Sequence, residues 1–131
     1  MLADADHIRR IYDRYPELLN KGDVEGIVEL YAEDASIEDP IGSDLHRGRD
    51  SIRVFYQRAA AARATMRRTG PVRVAGHEAA TPVVVLMGPE DQRSALDLIS
   101  VMSFDEDGKI ASMRAFWSMD AIRPATPEDQ G

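Results

Sequence analysis

No cysteine occurs in the 131 residues, which excludes disulfide bridges, thiolate metal sites and thiol nucleophiles together. Long apolar runs are missing as well. No stretch approaches the roughly 20 residues of a membrane span, and the opening MLADADHIRR mixes acids with bases where a signal peptide would place an apolar run. Positive charge is in deficit: sixteen Lys and Arg face twenty-three Asp and Glu, a formal charge of -7. Such a balance repels nucleic-acid phosphates and anionic membrane surfaces. The expectation is a cytoplasmic protein with no nucleic-acid or membrane partner. The histidines, His7, His46 and His77, show no metal-ligand spacing, so each reads as a surface or locally bonded group and no metal is expected. A glycine-rich phosphate loop and a dinucleotide fingerprint are also lacking, and chemistry that needs no cofactor fits best.

What is present suits one domain over residues 1–131, with 44% hydrophobic residues to build a core. Ile8, Ile11, Tyr12, Tyr15, Leu18 and Leu19 recur at helical spacing and Gly22 marks an end, with a kink or break expected at Pro16. Asp23 caps a second helix whose stripe is Val24, Ile27, Val28 and Tyr31. A short strand over 35–39 follows. Asp50 or Ser51 then caps a third helix, striped by Ile52, Phe55, Tyr56 and Ala59, which should fray near Arg67. From Gly70 the period changes to that of strands, at 72–74, 82–87, 94–104 and 109–117, joined by turn signals at 75–77, 88–91 and Asp107-Gly108. Helices first and an antiparallel meander second make an α+β domain. The run 119–131 is polar and proline-bearing, and reads as a flexible tail.

Several polar groups interrupt apolar rows. Asp39, in IEDPIG, shares a strand face with Ala35 and Ile37, although Asp before Pro is also a common turn starter. Ser100 shares its face with Leu96, Leu98, Met102 and Phe104, while Asp97 points the other way. It serves equally as a small core serine bonded to backbone. Trp117 follows Ala111, Met113 and Ala115 on one face, where core packing is the commoner role. All four tyrosines, Tyr12, Tyr15, Tyr31 and Tyr56, lie on helix stripes, and each taken singly suits an ordinary core position. Converging, these hydroxyls and Asp39 would line an apolar cavity. Desolvation would raise the carboxylate's pKa into the range of a usable base, and hydroxyl donors beside it would stabilise charge on a substrate oxygen. That is equipment for removing a proton next to a carbonyl.

The segments GDVEGIVELYAEDASIEDPIG, HRGRDSIRVFY and ALDLISVMSFDEDGKIASMRAFW resemble the Δ5-3-ketosteroid isomerases over about residues 8 to 118. The resemblance implies the NTF2-like cone, three N-terminal helices packed on a curved, mainly antiparallel β-sheet, and conversion of Δ5- to Δ4-3-ketosteroids through a dienolate without a cofactor. It assigns Asp39 as the base, Tyr15 as an oxyanion donor, Tyr31 and Tyr56 as its supports, and Met113 and Trp117 as steroid-pocket lining. It also implies a homodimer through the outer sheet face. Where the family has a protonated aspartic acid as second donor, this chain has Ser100, a shorter and less acidic one. A relative acting on another lipophilic ketone or an epoxide, and a noncatalytic lipophile-binding protein, are the alternatives. For the epoxide case, no arginine in the sequence obviously faces inward.

Overall fold

The computed structural model describes residues 4–130. Residues 1–3 of the opening stretch and Gly131 of the expected tail lie outside the described residues.

Helix α1 (Ala5–Lys21) starts at Asp4, whose carboxylate accepts from the His7 N–H at 2.8 Å, and stops at Gly22, which adopts the left-handed φ of 71°. It runs unbroken through Pro16. Proline removes one backbone bond, but Ile8, Tyr12, Tyr15, Leu18 and Leu19 are buried on both sides of it, and that packing holds the segment helical. Helix α2 (Val24–Leu30) is capped by Asp23 through the Gly26 N–H at 2.9 Å. A Cβ at Gly26 would come within 2.7 Å of the Asp23 carboxylate and 2.8 Å of the Leu18 side chain, so both would have to shift to admit one. Tyr31 does not extend this helix. It opens strand β1 (Tyr31–Glu38), longer than expected, which pairs with the short β2 (His46–Arg47).

Helix α3 (Arg49–Ala61) begins at Gly48 without a side-chain cap, so neither Asp50 nor Ser51 plays that part. It also ends well before Arg67. The Arg63 and Ala64 N–H groups bond back to Ala60 and Ala59, with Arg63 left-handed at φ 55°. This closure is usually built on glycine. It frees residues that the sequence assigns to helix to form β3 (Thr65–Arg68).

Strands β4 (Arg73–Ala75), β5 (Glu78–Met87), β6 (Ser94–Phe104) and β7 (Ile110–Phe116) form the expected meander. Pro82 is tolerated inside β5 because it falls where β5's partner changes from β3 to β4, and its carbonyl accepts from Thr69 at 2.9 Å. The path β2-β1-β7-β6-β5-β3 is antiparallel except for β1 with β7. Its ends do not meet, so the cone is an open curved sheet with helices packed on it. Where a flexible tail is expected, a short 3-10 turn (Met119–Ala121) leads to β8 (Ile122–Pro124) and α4 (Pro127–Gln130). β8 pairs with residues 94–96 of β6, and Arg123 clamps it by bonding both Asp97 and Asp129. The tail's polar composition hides these backbone and ionic ties.

The core lies between the helices and the inner sheet face, with Ile8, Ile27, Ile37, Ile52, Met102 and Ile110 fully buried. Among the described residues no helix is long and apolar enough to cross a membrane.

Candidate active site

A cavity of about 420 Å³ opens between α1, α3 and the inner faces of β5, β6 and β7. That is within the roughly 300–1,000 Å³ typical of small-molecule sites. Most of its wall is aliphatic or aromatic, including Leu19, Phe55, Met66, Val85 and Leu98. Six of the seven residues to which the sequence resemblance gives a part lie on it: Tyr15, Asp39, Tyr56, Ser100, Met113 and Trp117. The seventh, Tyr31, reaches the cavity only through Tyr56.

Asp39 sits just past the end of β1. The backbone is pinned beyond it by the Ile41 N–H donating to the Ala115 carbonyl at 2.9 Å, and by the Gly42 N–H donating to the Glu38 carboxylate at 2.8 Å. β1 and β7 run parallel with Ile37 beside Met113, so their ends bring Asp39 and Trp117 together. Trp117 Nε1 donates to Asp39 Oδ1 at 2.6 Å. Burial raises the Asp39 pKa above the ordinary carboxylate value; the Trp117 hydrogen bond and the nearby His46 oppose this without cancelling it. The turn-starter reading of Asp39 therefore gives way to a carboxylate on the cavity wall.

The tyrosines form a chain. The Tyr31 and Tyr56 hydroxyls are 2.6 Å apart, and those of Tyr56 and Tyr15 are 2.7 Å apart. Tyr31 and Tyr56 are 0% and 1% exposed, so these bonds satisfy hydroxyls that water cannot reach. Burial pushes the Tyr15 phenol well up, and although its bond to Tyr56 pulls the other way, the charge on Asp39 adds to the rise. Tyr15 thus keeps its proton at neutral pH. Tyr12 does not join the chain: its hydroxyl donates to the Ala79 carbonyl at 3.0 Å.

Ser100 is 4% exposed, between Thr81 on β5 and Ala115 on β7. Asp97 faces the opposite side, as the alternation demands, and pairs there with Arg123. Three lining residues escape the sequence reading. His46 belongs to the two-residue β2 and packs against Phe55, the rings tilted at 59° with centres 5.2 Å apart. Phe55 is legible only as a member of the α3 stripe, and Arg58 lines the cavity although the sequence offers no sign that it faces inward. Among the described residues, no group of three or more His, Asp or Glu is placed to hold a metal.

An acid of raised pKa, two hydroxyls and an apolar enclosure equip the cavity to move a proton and to stabilise an oxyanion. The SnoaL-like domain family matches residues 12–113. A steroid Δ-isomerase of Nocardioides simplex is 44% identical over 105 residues, covering 80% of this chain and 85% of its own length. The epoxide hydrolase LasB of Streptomyces lasalocidi is 30% identical over 123 residues, covering 76% of this chain and 43% of that protein. A solved structure of SalBIII, an epoxide hydrolase/cyclase-like enzyme with a role in pyran ring formation in the polyether salinomycin, is similar with a TM-score of 0.87 at 31% identity. The match spans 93% of this chain and 98% of that one.

Proposed function

The chain belongs to the SnoaL-like domain family, and on that premise we propose that it is a cofactor-independent steroid Δ-isomerase, converting Δ5- to Δ4-3-ketosteroids. The observation that carries the reading is the meeting of Asp39, Tyr15 and Ser100 on the wall of one apolar cavity. The 44% identity to the Nocardioides simplex isomerase supports it.

In this mechanism ionised Asp39 takes a proton from C4 of the bound steroid. The electron pair left behind moves into the C3 carbonyl, and the dienolate oxygen accepts hydrogen bonds from Tyr15 and Ser100. Asp39 then gives the proton to C6; the C4=C5 bond forms as C5=C6 is lost and the carbonyl returns. Burial aids both halves, raising the basicity of Asp39 and strengthening each hydrogen bond to the developing charge. With Tyr31 donating to Tyr56 and Tyr56 to Tyr15, the Tyr15 proton is left for the substrate oxygen, and the chain spreads charge away from it. Ser100 is the weaker donor. Met113 and Trp117 contribute apolar wall, and Trp117 also holds Asp39 in place.

Purified protein mixed with 5-androstene-3,17-dione is expected to generate the absorbance of the conjugated enone. Turnover unaffected by Asp39→Asn would remove the base. A noncatalytic binding protein would instead take up a phenolic steroid without favouring its ionised form. The likeness to epoxide hydrolase-like proteins favours a second reading, epoxide opening, and Arg58 supplies a cation to the cavity. An Asp-Arg-Asp arrangement needs another carboxylate, however, and Asp39 is the only one lining the cavity among the described residues. Consumption of an epoxide by a protein inert to the ketosteroid would select that reading.

We also place the protein in the cytoplasm as a homodimer formed through the outer sheet face. Ile99 and Phe116 sit side by side there, 43% and 42% exposed. A monomer by light scattering would overturn the dimer.

A further inference from the structure

The mechanism leaves one charged group of the cavity without a task. Arg58 lines the cavity, is exposed, and its guanidinium has no hydrogen bond or ion pair among the described residues. Arg53, five residues earlier on the same helix, is tied to Glu25 and Asp50, and Arg68 is tied to Asp13.

Helix geometry fixes where Arg58 stands relative to the chemistry. At about 100° per residue, Tyr56 and Arg58 mark the two edges of an arc of roughly 160° on α3. Ala59, Phe55 and Ala62 fall between them in that angular order, and all three line the cavity. One edge is buried: Tyr56 is 1% exposed and its hydroxyl is 2.7 Å from that of Tyr15. The other edge meets solvent at Arg58. A ligand whose carbonyl oxygen was held by Tyr15 and that ran along this arc would lie across Ala59, Phe55 and Ala62, with its far end beside a guanidinium that has no protein partner among the described residues.

We propose that Arg58 forms an anion subsite at the cavity mouth, and that the substrate carries a carboxylate at the end remote from the ketone it enolises. The planar fork of a guanidinium matches a carboxylate bidentately. In a chain of formal charge -7, no general field draws anions in, so a preference for an acid must arise locally. The substrate class named here rests on the isomerase reading; the subsite itself can be tested without turnover.

Two saturated 3-ketosteroids are compared, one with a side chain at C17 ending in a carboxylate and the other its methyl ester. Neither can isomerise, and calorimetry reads their binding to wild type, Arg58→Ala and Arg58→Lys. Because the contact is solvent-exposed, the acid is expected to bind about five- to tenfold more tightly than the ester to wild type. That ratio should fall to near one in Arg58→Ala, be partly kept by Arg58→Lys, and shrink as salt is raised. Equal binding of acid and ester to wild type, or a ratio that survives Arg58→Ala, overturns the proposal and leaves Arg58 as an aliphatic stem covering the apolar rim. The Δ5 counterparts of both compounds are then assayed for turnover. Arg58-dependent binding of the saturated acid with no isomerisation of either counterpart would defeat the isomerase reading and keep the subsite.

Discussion

Replacing Tyr56 and Tyr15 by phenylalanine, one at a time, should separate stability from rate in opposite directions. The Tyr56 hydroxyl is the middle of the chain, 2.6 Å from Tyr31 and 2.7 Å from Tyr15. Removing it strands the Tyr31 hydroxyl, which is 0% exposed and bonded to nothing else among the described residues. A buried donor left without its partner costs about 1–3 kcal/mol, and the lost bond to Tyr15 about 1 kcal/mol more. In a domain of this length the sum of roughly 2–4 kcal/mol corresponds to a fall in Tm of about 10 °C. Tyr15→Phe leaves Tyr56 bonded to Tyr31, and its stability cost is a single bond, about 1 kcal/mol or a few degrees. The rates run the other way. Tyr15→Phe deletes a donor to the dienolate oxygen and should slow turnover by about 10²–10³, whereas Tyr56→Phe keeps that donor and loses only its support, about tenfold. Thermal unfolding followed by circular dichroism and initial rates from the enone absorbance give both numbers. A Tyr15→Phe variant that unfolds earlier than Tyr56→Phe, or turns over faster, would refute the chain as described.

Asp39→Asn should lose about 10²–10⁴ in rate and yet unfold at a higher temperature than wild type at neutral pH. The sign follows from burial raising the carboxyl's pKa in the folded state above its ordinary 3.8: ionised Asp39 costs stability above the raised pKa, the cost fades as pH falls through it, and below 3.8 the advantage of asparagine should vanish. Melting curves at several pH values check this. Ser100→Ala should slow turnover by less than about a hundredfold, because the lost donor is the weaker one, while Ser100→Asp, by supplying a more acidic donor, should retain or raise turnover; initial rates decide. Trp117→Phe deletes the hydrogen bond that holds the Asp39 pKa down, so the acid limb of the kcat/KM profile should move to higher pH. A limb that stays put would deny that bond its influence.

Strand β6 was legible to the residue, because eleven residues alternating about Ser100 have one way to face a core. The same alternation placed Asp39 on the cavity side and Asp97 on the other. Two helix stripes were also legible, since burial on one face writes a period of 3.6. What the pattern missed was set by contacts distant in sequence. β3 follows a left-handed turn at Arg63 that no glycine announces. The unbroken α1 depends on packing that outweighs Pro16. His46 lies in a strand of two residues, too short for any period, and Arg58 reaches the cavity from the rim of α3, where a charged residue reads as solvated surface.

The short strand β8 also has a protective effect. It lies on β6 at residues 94–96, whereas β7 pairs with β6 only from residue 99 onward. Without β8, those N–H and C=O groups of residues 94–96 that point away from β5 would stand open, and Ala95 and Leu96, 1% and 3% exposed as the chain stands, would sit beside a bare edge able to recruit a strand from another molecule. The arginine clamp that holds β8 thus guards against aggregation, keeping the strand that carries Ser100 from serving as a template for intermolecular pairing.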